Sequence, residues 1–177
     1  GMSGAQPKAG NITGCITVCA EVNLNAAQKR YDQGWADLLI TELGALVDRV
    51  REARQNQETV SIAFNGNVVD VWERFYDEDI FVHVGSDQTS LHNPYAGGYY
   101  PAGISFEEAN RMMADEPEKF REALQESLRR QVKAINGLTA KGMYFWDYGN
   151  AFLLEAGRAG ADVFAGEGSQ TPVESAA

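Results

Sequence analysis

"TVSIAFNGNVVDVWERFYDEDIFVHVG", residues 59–85, holds a complete strand–helix–strand pattern. "TVSIAF" (59–64) and "DIFVHVG" (79–85) are short apolar runs rich in β-branched and aromatic residues, the reading of strands buried on both faces. "NVVDVWERFY" (67–76) lies between them and reads as a helix. Strands that alternate with helices in this way build a parallel sheet covered on both faces.

The pattern extends in both directions. Upstream, Ile12–Val22 reads as the first strand and "NAAQKRYDQG" (25–34) as a helix stopped by glycine. Leu43, Leu46, Val47, Val50 and Ala53 then follow at three- and four-residue spacing, the mark of an amphipathic helix. Downstream, Ser105 and Glu108 form a capping box, and Asp115, Pro117 and Glu118 open a second helix. Phe120, Leu124, Leu128, Ile135 and Leu138 give that helix one apolar face. "GMYFWD" (142–147) reads as a fourth strand and "NAFLLEAGRAG" (150–160) as the last helix. Residues 1–163 are therefore expected to form one domain, and 164–177, which lose all periodicity, a tail or linker.

The net charge of −10 and a pI near 4.6, with no stripe of Lys or Arg, argue against nucleic-acid binding. No apolar run reaches membrane-spanning length and no signal-peptide pattern opens the chain, so a cytoplasmic protein without membrane partners is expected. Cys15 and Cys19 lie four residues apart in a strand-like run, roughly 13 Å when extended and too far for a disulfide. They read as two small buried thiols. His83 and His92 are the only histidines, and no metal-ligand spacing appears.

One segment fits neither period. "GSDQTSLHNPYAGGYYPAG" (85–103) carries four Gly, two Pro, three Tyr, His92 and a single formal charge, Asp87. A run of this length without secondary structure inside a domain is functional or disordered, and its tyrosines argue against disorder. It follows the third strand, so it belongs at the carboxyl edge of the sheet, where open α/β sheets bind ligands. The other strands exit at Glu21, at Asn65-Gly66-Asn67 and at Asp147-Tyr148-Gly149-Asn150. "GMSGAQP" places Gly1, Ser3 and Gly4 before a helix start, with an acid, Glu21, about twenty residues on. That is the later part of a dinucleotide fingerprint: small residues admit a pyrophosphate to a helix N-terminus, and the acid accepts from ribose hydroxyls. The strand that should precede the glycines is missing from the chain. The residues by themselves thus lead to a Rossmann-like α/β fold, a parallel sheet with helices on both faces and its first strand missing. Unpaired edges around that gap favour a homodimer.

"GMSGAQP", "GNVV", "GSDQTSLHNPYAGGYYP", "QESLRRQVKAIN" and "FWDYGNAFLLEAGRAGADV" closely resemble the urocanase (urocanate hydratase) family, above all its eukaryote-type branch. The likeness runs in order from residue 1 to about 163 and covers the middle, NAD-binding domain. It implies tightly held NAD⁺ whose nicotinamide serves as an electrophile while water adds to urocanate to give imidazolone propionate, in histidine catabolism. The enzyme is then a lyase that releases no hydride. In the family pattern Gly1, Met2 and Ser3 meet the pyrophosphate and Glu21 a ribose, and Asn67 and Val68 touch the cofactor. Gln88, Thr89, Ser90, Leu91 and His92 form its bed, Tyr99 and Tyr100 close it, and Tyr148 reaches the same site. His92 reads equally as a residue that fastens the loop.

The family's catalytic cysteine belongs to a flanking segment outside this motif set, so neither Cys15 nor Cys19 takes that role and the isolated chain is expected to be inactive. The sequence departs from the family's bacterial members at Ser3, where they mostly have Gly, and at Ala26, where many of them have Arg, which bears on one charge contact. Arg30 lies nearby. Two rivals stand beside this reading: an NAD(H)-dependent oxidoreductase domain, and an inert folded module.

Overall fold

A computed structural model describes residues 4–87, 93–148 and 151–163. The chain divides into two compact units, Gly1–Val71 and Trp72–Ala177, and the division falls within a helix. The expected tail, 164–177, lies outside the described residues.

In the first unit Gly14 decides where the first strand begins. Its φ of 75° is left-handed, a conformation glycine adopts without strain, and it ends helix α1 (Ala5–Thr13). Strand β1 therefore runs Ile16–Glu21 rather than Ile12–Val22, and Ile12 sits in the last turn of the helix, mostly exposed. The apolar run was continuous across the turn, so its first residues looked like strand. Gly10 of α1 leaves room for Thr17 of β1; a Cβ there would come within 1.8 Å of Thr17 Oγ1.

Helix α2 (Leu24–Asp32) starts on Asn23, whose side chain accepts from the N–H groups of Asn25 and Ala26. A three-residue strand, β2 (Leu38–Ile40), follows where no strand was expected. Helix α3 (Leu43–Gln55) buries Leu46, Val47, Val50 and Ala53, the residues its spacing singled out. Strand β3 (Val60–Asn65) is buried along nearly all its length because it is central. The sheet order is β1-β3-β2, every pair parallel, with Glu21 opposite Asn65. Ala27, Ala36 and Ala63 pack together under Leu39.

The ends of α1 and β3 are tied through Asp37. Its Oδ2 accepts from Asn11 Nδ2 (2.8 Å), the Ser61 N–H (2.8 Å) and the Ser61 hydroxyl (2.9 Å). Partial burial acts to raise this carboxyl, but the hydrogen bonds outweigh it and hold it below the usual carboxylate range. A carboxyl harder to protonate in the folded state stabilises fully above its unfolded value of about 3.9 and loses that contribution as pH falls through the lower folded value. Asp37→Asn is expected to lower stability by about 1 kcal/mol near neutrality, the site being partly open to water. Thermal melts should show the difference shrinking below about pH 4; a gap that persists undiminished to the acid end counts against the bond set.

Helix α4 (Val68–Asp77) leads into the second unit. Its last turn ends on Asp79, at φ 54°, and Ile80 N–H returns to the Phe75 carbonyl at 2.8 Å. That turn takes up the residues expected to open the next strand. Strand β4 is Val84–Asp87, later than the expected 79–85, so Gly85, Ser86 and Asp87 belong to the sheet and not to the loop. Gly85 is required there: a Cβ would lie 2.8 Å from the Trp72 ring and 3.0 Å from Met143 Sδ.

Helix α5 (Phe106–Asp115) begins at Ser105, whose hydroxyl accepts from the Glu108 N–H. Helix α6 (Pro117–Ala140) has Pro117 in its first turn and Glu116, not Asp115, before it; Asp115 is the last residue of α5. The apolar face of α6 is buried as its spacing requires, from Phe120 to Leu138. Arg130 on α6 holds Glu73 of α4 through two bonds of 2.8 and 2.6 Å. Strand β5 (Tyr144–Asp147) pairs parallel to β4, and α7 (Phe152–Arg158) closes the described chain. Among the described residues the strands pair in parallel, as expected, in a three-stranded set in one unit and a two-stranded set in the other. Among the described residues no helix is long and apolar enough to cross a membrane.

Candidate functional site

Parallel pairing brings the exits of β1 and β3 to one edge of the first unit. Glu21 is the last residue of β1 and is half-buried, and its Oε1 accepts from the Asn23 N–H at 2.9 Å. That bond holds the carboxylate beside the turn into α2. Asn65, opposite it, donates through Nδ2 to the carbonyls of Glu21 (2.9 Å) and Val22 (3.2 Å), while Gly66 N–H reaches the Glu21 carbonyl at 3.1 Å. The backbone at this edge is thus locked before any ligand arrives. Asn67 Oδ1 accepts from the Val69 N–H at 3.0 Å and caps α4, and Val68 is that helix's first residue.

Gly4 stands at the N-cap of α1 with the Arg30 side chain laid across it. A Cβ on Gly4 would come within 2.5 Å of Arg30 Nε. Arg30 also lies over the Trp35 ring, 5.3 Å from its centroid, and donates to Gln33 Oε1 at 3.0 Å. Ala26, one helical turn before Arg30 on α2, offers no charge. The Arg30 guanidinium therefore lies against the start of α1. Gly1, Met2 and Ser3 lie outside the described residues.

In the second unit β4 and β5 end together, with Asp87 opposite Asp147. Both carboxylates are buried, each 6% exposed. The Tyr99 hydroxyl donates to Asp87 Oδ1 at 2.9 Å, and its ring packs on Phe152 at 6.3 Å. Tyr100 turns the other way: its hydroxyl donates to Asn110 Oδ1 on α5 and its ring lies on Phe106. Tyr148, just beyond β5, is 40% exposed and packs against Trp146. Asn93 Oδ1 accepts from the Tyr95 N–H and starts a 3₁₀ turn, Pro94–Ala96. Gln88, Thr89, Ser90, Leu91 and His92 lie outside the described residues.

Two features were not singled out as site residues from sequence. Asp87 was visible only as the one charge in its loop, and its partner Tyr99 comes twelve positions later. The placement of Arg30 over Gly4 is tertiary and has no local signal. The cysteines, expected to be two buried thiols, are exposed at Cys15 and half-buried at Cys19. Both are free; Cys15 lies in the turn before β1, and Cys19 sits within the strand, where burial pushes its thiol up to about 12.

The family profile described as the urocanase Rossmann-like domain matches residues 1–171. A probable urocanate hydratase of Caenorhabditis elegans is 56% identical over 164 residues, covering 92% of this chain and 24% of that protein. The human urocanate hydratase is 54% identical over 168 residues, covering 92% of this chain and 25% of that protein. A probable urocanate hydratase of Halobacterium salinarum is 32% identical over 150 residues, covering 85% of this chain and 25% of that protein. The chain therefore spans about a quarter of the length of these relatives.

Proposed function

This chain belongs to the urocanase family, and from that premise we propose that it is the NAD⁺-holding part of a urocanate hydratase, a hydro-lyase that adds water to urocanate to give imidazolone propionate in histidine catabolism. The observation that carries the cofactor reading is the edge shared by Glu21 and Asn67: a half-buried carboxylate at a strand exit, beside a parallel strand that feeds a helix N-terminus. A dinucleotide's ribose and phosphates need those groups, an acceptor for hydroxyls and backbone N–H donors for oxygens.

The donor set fits NAD⁺. Glu21 takes a ribose, and Asn67 and Val68 meet the cofactor where α4 begins. Gly1, Met2 and Ser3 meet the pyrophosphate, with Arg30 standing beside Gly4 in place of the basic residue many bacterial members carry at position 26. Gln88, Thr89, Ser90, Leu91 and His92 make the bed, with Tyr99, Tyr100 and Tyr148 around it. When bound, NAD⁺ supplies an electrophilic ring; the chain's own residues bind and orient it and take no hydride. A negative carboxylate at Glu21 favours a ribose hydroxyl and disfavours a phosphate in the same place. The two unpaired cysteines are consistent with a reducing cytoplasm.

The test uses the full-length enzyme. Urocanate's ultraviolet absorbance should decay while the near-ultraviolet band of reduced nicotinamide does not grow. Growth of that band in step with substrate loss would replace this reading with an oxidoreductase.

A further inference from the structure

We propose that the second unit carries a binding site for a small organic carboxylate, built around Arg121 and Arg158 from residues that the cofactor reading does not use. It stands whether or not that reading holds. A cavity of about 530 Å³ opens between the 3₁₀ turn, α6 and α7. Its polar lining is Asn93 and Tyr95 from the turn, Arg121 and Gln125 from α6, and Glu155 and Arg158 from α7. Arg121 and Gln125 stand four apart, and Glu155 and Arg158 three apart, so each pair shares one face of its helix. Arg121 is held in place without being neutralised. Its guanidinium lies over the Tyr95 ring, 4.1 Å from the centroid, while Glu118 Oε2 stands 3.9 Å from its Nε, too far for a hydrogen bond.

Arg158 is only partly engaged. Its Nη1 donates to Glu155 Oε1 at 2.6 Å, and the side chain remains 63% exposed. Glu155 itself is 6% exposed; besides Arg158 it accepts a longer bond, 3.4 Å, from the Tyr95 hydroxyl. Asn93 uses its Oδ1 for the Tyr95 N–H and keeps its NH₂, and the Gln125 amide has no partner among the described residues. The cavity thus has donors in excess, and guanidinium forks with side-chain amides recognise the paired oxygens of carboxylates and phosphates. Charge decides between the two. Two guanidinium groups and one carboxylate leave a single positive charge, which a monoanion balances, whereas a phosphate dianion brings a second negative charge toward Glu155. The volume suits an organic molecule rather than a bare ion. Stacking on Tyr95 presents Arg121 in one orientation, so little freedom is lost when it binds.

The probe is benzoate, a planar monocarboxylate with no other polar group, titrated calorimetrically into the full-length enzyme at fixed ionic strength. The variants are Arg121→Gln, Arg121→Lys and a control for general electrostatics, Arg111→Gln, which removes an exposed guanidinium from α5 outside the cavity. Benzoate should bind saturably. Arg121→Gln should weaken it about tenfold, as for the loss of a charge-assisted bond. Arg121→Lys should weaken it about threefold, because an ammonium keeps the charge but neither the fork nor the flat stack. Arg111→Gln should leave it unchanged, and inorganic phosphate should bind about tenfold more weakly than benzoate. The Arg121 variants should melt with the wild type, since no hydrogen bond to the described fold is lost.

Absence of saturable benzoate binding overturns the proposal, as does an Arg121→Gln enzyme that binds like the wild type. An equal loss in Arg111→Gln, or phosphate bound as tightly as benzoate, would reduce the site to an unspecific basic patch and also overturns it. So does a loss that both Arg121 variants share in full while both melt lower, the mark of a packing role.

Discussion

Phe152→Ala is expected to cost the second unit about 3–5 kcal/mol, the range for removing a large aromatic from a closed core. Phe152 is fully buried at the start of α7 and lies between two other rings, Phe145 of β5 at 5.9 Å and Tyr99 at 6.3 Å. Phe145 in turn meets Trp72 edge-on at 6.3 Å. Deleting the Phe152 ring forfeits its own transfer from water and leaves a void that three different elements would have to close at once. Strand β5 cannot move inward without breaking its register to β4, so collapse is restricted and the loss falls toward the upper part of the range. Leu154, two residues on in the same helix and 56% exposed, is the control: Leu154→Ala should stay within about 0.5 kcal/mol. Urea unfolding followed through tryptophan emission reads both. A Phe152→Ala loss no larger than the Leu154→Ala loss would mean that this aromatic group is not a core.

How far the sequence disclosed this architecture depended on whether a residue's partner lay within its own element. The face of α6 could be read because Phe120, Leu124 and Leu128 follow one another at a single turn's spacing, and all three are buried. Ser105 announced α5 for the same reason, since its acceptor role is satisfied three residues away. The errors fell where a backbone turn interrupted an apolar run. Gly14 ends α1 inside the stretch that read as continuous strand, and Asp79 at positive φ delays β4 to Val84. Strand β2 is three residues long, too short for alternation to register, and it is held by β3 rather than by its own pattern.

The site divides in the same way. Glu21 was singled out because a dinucleotide fingerprint fixes an interval from glycines to acid, and the structure puts it at the exit of β1. The bond from the Tyr99 hydroxyl to Asp87 was not legible, because it spans twelve positions of sequence that has no period. The relation of Arg30 to Gly4 joins the far end of one helix to the start of another, and only the fold brings them together.

The second large effect is expected at Glu21. Its carboxylate is the charged group at the β1 exit, already aligned by the Asn23 N–H on Oε1. A hydrogen bond from a ribose hydroxyl to a charged acceptor is worth about 1.5–3 kcal/mol. Glu21→Ala should therefore weaken NAD⁺ between about tenfold and somewhat over a hundredfold. The substitution also frees the Asn23 N–H, so part of the loss could arise from the turn into α2. Glu21→Gln separates the two contributions, because its amide oxygen can still accept from Asn23 while the charge is gone. An intermediate affinity for Glu21→Gln, with an unchanged melting temperature of the stripped protein, places the loss at the ribose.

The measurement that bears most directly on the whole account is the nicotinamide content of the full-length enzyme as purified, wild type against Glu21→Ala, extracted and quantified by mass spectrometry. The wild type should carry close to one NAD⁺ per chain, and Glu21→Ala a small fraction of that after the same dilution and washing. A wild type without NAD⁺, or a Glu21→Ala enzyme that keeps as much as the wild type, would contradict it.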